Sequence, residues 1–266
     1  MLYPRIIPCL LVHNRGLVKT VKFKSPKYVG DPINAVKIFN EKEVDELIVL
    51  DIDASINKSE PDYKLIENLA AECRMPLCYG GGIKTVEQAV RIFSLGVEKI
   101  AISSLIVENL SIVKEIAKMV GTQSIVVVLD AKKSIKGDKY EVYIHNGSVA
   151  TGIDPVCLVG ELENQGIGEI VINSIDNDGT MNGYDMDLIE KVRNAISIPL
   201  TVLGGAGTLD DIGQLIRKYG IIGAAAGSLF VFKGKFRAVL INYPTQSEKE
   251  ALMDKYFKNS LSTMEN

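Results

Sequence analysis

Tyr79-Gly80-Gly81-Gly82-Ile83 recurs as Leu203-Gly204-Gly205-Ala206-Gly207, from position 80 to position 204, an offset of 124 residues. The end of the next apolar run recurs at the same offset, Ser103-Ser104 against Gly227-Ser228, and Asp51 has a counterpart in Asp176. A repeat of this length is long enough for four β/α units. Around it, short apolar runs alternate with helix-like patterns: Arg5–Val12, Leu47–Ile52, Leu77–Tyr79, Lys99–Ser103, Ile125–Leu129, Glu169–Ser174, Leu200–Leu203 and Gly223–Gly227. These runs are continuously apolar, as parallel strands buried on both faces require. Asp31-Pro32 offers an N-cap followed by a proline at the first helical position, and Gly96 and Gly220 stand where helix C-caps belong. The fold predicted is α/β, a (β/α)₈ TIM barrel built from two half-barrels. It is expected to form a single domain over 1–258, with 259–266 as a flexible C-terminal tail.

The chain has 266 residues, 47% of them apolar, which suits one barrel with a large buried core. Its net charge of −3 leaves no basic footprint for nucleic acid or an anionic membrane. No apolar run is long enough to span a bilayer. Met1-Leu2-Tyr3-Pro4-Arg5 leads straight into a strand pattern without a secretory signal, so a cytoplasmic placement is expected. Cys9, Cys73, Cys78 and Cys157 match no zinc or redox spacing, and only His13 and His145 are present. Neither a metal nor a cofactor is expected.

Barrels of this kind carry their sites at the C-terminal strand ends, with phosphate commonly bound after strands 7 and 8. Glycines there let backbone N–H groups approach anionic oxygens. Gly205, Gly207, Ala226, Gly227 and Ser228 meet that description, and the repeat sets Gly81, Gly82, Ser103 and Ser104 in the equivalent place. Asp178-Gly179-Thr180 follows strand 6 and could close the first site. A lone Gly-Gly would indicate only a tight turn. Two copies in register, each with a serine-bearing strand end, point to two anion sites and an elongated substrate carrying two phosphate groups.

The chain resembles the cyclase subunit family of imidazole glycerol phosphate synthase over roughly residues 1–232. The likeness rests on Arg5-Ile6-Ile7-Pro8-Cys9-Leu10, Gly80-Gly81-Gly82-Ile83, Val107-Glu108-Asn109, Ser174-Ile175-Asp176-Asn177-Asp178-Gly179-Thr180, Gly183-Tyr184-Asp185 and Gly204-Gly205-Ala206-Gly207. The resemblance implies a glutaminase subunit docked at the N-terminal face of the barrel and ammonia passing through the core to a phosphorylated small-molecule substrate. It implies an entrance gate of alternating charges at Arg5, Glu46, Lys99 and Glu169. It makes Asp130 the catalytic acid–base residue of strand 5, Lys19, Asp51 and Asp178 substrate contacts, and Gly82, Ser103, Ser104, Gly179, Gly205, Ala226, Gly227 and Ser228 phosphate contacts.

Two departures qualify this. Leu11 stands where the family has a second aspartate, so one arm of an acid–base pair is missing; Asp53 is the one nearby candidate replacement. The segment Lys233–Pro244 is unlike the closing helix of the histidine enzyme and resembles a paralogous branch found with surface-polysaccharide clusters. That branch works with a glutaminase and an amidotransferase to convert an acetamido group of a nucleotide-linked sugar to an acetamidino group. The reading is therefore an ammonia-channelling synthase subunit for such a modification. The alternatives are a genuine cyclase of histidine biosynthesis and a non-catalytic scaffold that activates a glutaminase.

Overall fold

The computed structural model describes residues 3–134 and 139–258, so the tail expected at 259–266 lies outside the described residues. Eight parallel strands close on themselves: β1 Arg5–His13, β2 Leu47–Asp51, β3 Leu77–Gly80, β4 Lys99–Ile102, β5 Ile125–Lys133, β6 Glu169–Ser174, β7 Leu200–Leu203 and β8 Gly223–Ala226. Each pairs with the next, and β8 pairs with β1 through Arg5↔Gly223 to Pro8↔Ala226. The helices on the outside are α1 Pro32–Glu41, α2 Tyr63–Glu72, α3 Val86–Ser94, α4 Ser111–Val120, α5 Pro155–Asn164, α6 Met186–Arg193, α7 Leu209–Tyr219 and α8 Gln246–Met253. This is the predicted (β/α)₈ barrel.

Alternation along each strand divides the core in two, because successive side chains leave opposite faces. Ile6 and Leu10 face outward and join Phe39, Leu69, Ile92, Ile116, Val159, Ile189 and Ile216 in the layer under the helices. Ile7, Cys9, Ile48, Cys78, Ala101, Val126, Val128, Val171, Leu203 and Ala225 fill the barrel itself. The inner set is small and wholly apolar.

The two halves start their helices in the same way. Asp31 caps α1 by accepting from Asn34 N, and Asp154 caps α5 by accepting from Val156 N, each followed by proline. Asp62 and Asp185 cap α2 and α6. Thr85 and Thr208 form capping boxes with Gln88 and Asp211 at α3 and α7. Side-chain caps satisfy backbone donors that a helix cannot satisfy itself, so these positions fix where each strand-to-helix turn ends. The repeat legible in two glycine turns therefore extends through three helix starts.

Two features were not read from the sequence. β1 and β5 run beyond Val12 and Leu129 into antiparallel hairpins, β1 with Gly16–Val21 and Lys24–Gly30, and β5 with Tyr140–Ile144 and Val149–Ala150. The Asn14-Arg15 turn uses positive φ at two non-glycine residues and lacks the usual hairpin signal, whereas the turn between Ile144 and Val149 is centred on Asn146-Gly147, a usual hairpin pair. Past β8, the Lys233–Pro244 segment runs along the barrel wall: Arg237 donates to Gly179 O at one end (3.0 Å), and Tyr243 Oη donates to Ile6 O at the other (2.8 Å).

Candidate functional site

An open cavity occupies the C-terminal mouth of the barrel. Its floor is the head of the inner core, where Leu11, Leu50, Val128, Asp130, Asn173 and Leu203 meet. Strand pairing sets these neighbours: Leu11 lies beside Leu50, Asp130 beside Asn173, and Asn173 beside Leu203. Asn173 Nδ2 donates to Asp130 Oδ1 (2.8 Å). The walls bring together Lys19, Asp51 and Asp178, the three residues read from the sequence as substrate contacts.

Burial governs the charges here. It pushes the Asp130 carboxyl up to about 7, against the hydrogen bond from Asn173 and with some help from the Asp178 charge. Burial likewise raises Asp51, although Asp53 N (2.9 Å) and Ala54 N (3.2 Å) both donate to its Oδ1. It raises Asp178, which accepts from Thr20 Oγ1 (2.8 Å) and Phe23 N (3.3 Å). It lowers Lys19, whose Nζ donates to Cys9 O (2.5 Å). An acid that titrates near neutrality can both accept and release a proton at physiological pH, which suits Asp130 to general acid–base work.

The rim carries the glycines and serines of the repeat. Gly81 and Gly82 follow β3 at φ +132° and +73°, and Gly204 and Gly205 follow β7 at +92° and +112°. Ser103 and Gly227 end β4 and β8 in similar backbone conformations, φ −130°, ψ −87° and φ −103°, ψ −71°, and each leads into a short helix, Ser104–Glu108 and Ser228–Val231. Gly82, Ser103, Ser104, Gly179, Gly205, Ala226, Gly227 and Ser228 all line the cavity. A Cβ at Gly227 would lie 2.5 Å from Lys19 Nζ, so the lysine end would have to shift to admit one. Ser104 is partly engaged, its Oγ accepting from His145 N (3.3 Å).

At the opposite end, four charges close the bottom of the barrel. Arg5 binds Glu46 and, at 2.7 Å, Glu169; Lys99 binds Glu46 at 2.8 Å and Glu169 at 2.9 Å. Thr201 Oγ1 also donates to Glu169. Glu46 and Glu169 are almost fully buried. Burial alone would raise Glu169 and lower Arg5 and Lys99, yet mutual attraction reverses all three: Glu169 falls below the ordinary carboxylate range, and both cations stay protonated to higher pH. Two positive and two negative groups thus neutralise one another at the base of the apolar inner core. Cys78, buried above them, has its thiol pushed well up by burial and by Glu46 and Glu169, so it is inert.

Comparison with known proteins matches residues 5–237 to the family described as histidine biosynthesis protein. The chain belongs to that family. A Vibrio vulnificus protein, provisionally named imidazole glycerol phosphate synthase subunit hisF3, is 58% identical over 254 residues, covering 96% of this chain and 98% of the relative. A Pseudomonas aeruginosa protein, provisionally named as the subunit hisF2, is 52% identical, covering 92% and 97%. The unqualified subunit HisF of Lactococcus lactis is 40% identical, covering 86% and 89%. The chain is thus a HisF-like barrel, more similar to the provisionally named relatives than to HisF of Lactococcus lactis.

Within this family's barrel, Asp53 does not take the place of a carboxylate at position 11. It lies off the cavity lining, held by His13 Nδ1 (2.6 Å) and Asn14 N (2.7 Å). Asp176 is also turned away, accepting from Lys133 N (2.9 Å), so Asp178 is the carboxylate that faces the cavity across from Asp51. Sequence reading missed Asn173 and His145 as lining residues. An amide inside the apolar run Ile170-Val171-Ile172-Asn173 was a usable signal for the first. His145 reaches the cavity through the hairpin after β5, whose Asn146-Gly147 turn was a usable signal for it.

Proposed function

We propose that this barrel is an ammonia-conducting synthase subunit working with a glutaminase at its N-terminal face. Its part would be in converting an acetamido group of a nucleotide-linked sugar to an acetamidino group for lipopolysaccharide or O-antigen biosynthesis, with an amidotransferase as third member. The observation that carries the reading is an asymmetry along the barrel axis. The base keeps a complete, mutually neutralised ring of Arg5, Glu46, Lys99 and Glu169, while the floor of the mouth holds, among the described residues, a single acid, Asp130, opposite Leu11. Buried charges are costly unless paired, so a ring at the base of an apolar core needs all its members. Leucine neither donates nor accepts a proton, which removes half of an acid–base pair. In this reading Lys19, Asp51 and Asp178 contact substrate, and Gly82, Ser103, Ser104, Gly179, Gly205, Ala226, Gly227 and Ser228 hold its phosphate groups.

The test is reconstitution with the glutaminase, the amidotransferase and an acetamido nucleotide sugar, with glutamine as sole nitrogen source. Acetamidino product that requires this chain supports the proposal. Product formed equally well without it contradicts a conduit. A second reading, a cyclase of histidine biosynthesis, is favoured by the retained Asp130 with its near-neutral titration. Turnover of the histidine-pathway intermediate with ammonium salt at the rate of an authentic cyclase would establish it.

A further inference from the structure

β1 starts at Arg5, yet its pairing with β2 begins only at Cys9↔Ile48, so Ile6 lies ahead of that ladder. Ile6 is fully buried, and buried backbone N–H and C=O groups need partners. Side chains supply them. Asp45 Oδ2 accepts from Ile6 N (2.8 Å), and Tyr243 Oη donates to Ile6 O (2.8 Å). Asp45 N donates in turn to Tyr243 Oη (3.3 Å), which commits the hydroxyl proton to Ile6 O. Lys249 on α8 completes the cluster. Its Nζ donates to Asp45 Oδ1 (3.0 Å) and Glu43 O (3.3 Å), and lies 5.4 Å from the centre of the Tyr243 ring. The ring itself is buried and packs on Phe230. Arg5 is the residue before Ile6, and Glu46 is the residue after Asp45. The cluster therefore joins the two backbone segments whose neighbouring residues form the Arg5–Glu46 ion pair.

We propose that Tyr243 is a positioning residue for the charged ring, holding the start of β1 against the loop that carries Glu46. This rests on the conduit reading of the ring and gives a task to the Lys233–Pro244 segment. Charges in a ring neutralise one another only while they are held close, and each one left unpaired in a buried place is costly. Arg5 and Glu46 sit outside the strand ladder that would otherwise fix their separation. Without the hydroxyl, Ile6 O loses its donor and Asp45 N its acceptor. The loop then parts from β1, and Glu46 holds Arg5 and Lys99 less closely. A ring loosened in this way admits water to the base of the inner core and lets ammonia leave sideways.

Tyr243→Phe removes the hydroxyl and keeps the aromatic ring against Phe230. The first readout is exchange of the Lys99 ammonium protons with water in the full chain, followed by NMR of ¹⁵N-labelled lysine and identified by its loss in Lys99→Ala. It should speed up roughly fivefold, the weight of one neutral hydrogen bond, while amide protection in β5 and β6 stays as it was. The second readout uses the complex with glutaminase and amidotransferase. Acetamidino product per glutamine hydrolysed should fall in Tyr243→Phe, whereas product formed from ammonium chloride, which reaches the acceptor from solvent, should not. Unchanged Lys99 exchange overturns the proposal. So does full coupling in Tyr243→Phe when Lys99→Ala uncouples. Should Lys99→Ala itself remain fully coupled, the conduit falls, and the exchange measurement alone decides the positioning role. If Tyr243→Phe fails to fold, Lys249→Met, which frees Asp45 Oδ1, should speed the same exchange, and no change there overturns the proposal.

Discussion

The two half-barrels share a backbone plan and differ in chemistry. Helices begin on the same caps at Asp31 and Asp154, Asp62 and Asp185, Thr85 and Thr208. β1 and β5 both overrun the barrel into hairpins, and the last inward-facing residue before each hairpin is Leu11 in one and Asp130 in the other. Leu11 lies against Leu50; Asp130 lies against Asn173. Caps and glycine turns fix where strands end, and that is enough to build a mouth. What the mouth can do is then decided by one inward residue per half, which can change without disturbing the frame that presents it.

The largest effect is expected where the halves differ most. Ammonium-dependent cyclisation of the histidine-pathway intermediate should fall about 10²–10⁴-fold below that of an authentic cyclase, the usual worth of a general acid–base group. Leu11→Asp, which makes the two floors more alike, should recover part of it in the same steady-state assay. Cyclase-level turnover in the unaltered chain would show that Leu11 is no obstacle.

Asp130 should also leave a mark on stability. Its folded pKa, about 7, lies above the ordinary value of 3.8. Between those two pH values the folded chain binds more protons than the unfolded one, so stability falls as pH rises through the window and levels off above it. The full span corresponds to roughly 4 kcal/mol. Asp130→Asn should flatten that slope and leave the variant more stable than the parent at pH 8, as read by urea denaturation at a series of pH values. Leu11→Asn should produce no such flattening.

The fold was legible because it rests on patterns that the sequence displays directly: eight apolar runs, two glycine turns in register and prolines after acidic caps. Of the site, the rim glycines and Asp178 were read from the repeat and the strand ends, whereas Asp51 and Asp130 came from the resemblance to the cyclase family; all of them line the cavity. The first hairpin was not legible, since Asn14-Arg15 turns the chain without glycine at the turn centre; the second carries Asn146-Gly147, a signal that was passed over. Asn173 was visible as a lone amide in an apolar strand, but its partner was not, since only the strand pairing sets it beside Asp130. Asp53 was misleading because the chain leaves β2 at Asp51, and His13 Nδ1 and Asn14 N hold the Asp53 carboxylate away from the cavity lining.

A smaller effect should distinguish the two rims. Phosphate should bind near Gly82 and Ser104 and near Gly205 and Ser228, since the repeat puts equivalent backbone at both. Ser228→Ala should weaken the second site a few-fold, about one neutral hydrogen bond. Ser104→Ala should weaken the first by less, because that hydroxyl already accepts from His145 N. Phosphate titrations followed by crystallographic soaking would resolve the two, and rims without bound anion in unobstructed crystals would end the bis-phosphate reading.

The most direct measurement concerns the end of the barrel that both halves build together. Arg5 and Glu46 come from the first half and Glu169 from the second, and Lys99 bridges Glu46 to Glu169. In the complex with glutaminase and amidotransferase, acetamidino product formed per glutamine hydrolysed should be near unity. Lys99→Ala should keep the fold, checked by its thermal transition, while that ratio drops severalfold as ammonia escapes to solvent. A ratio that stays near unity in Lys99→Ala would mean that nitrogen does not travel through the charged ring.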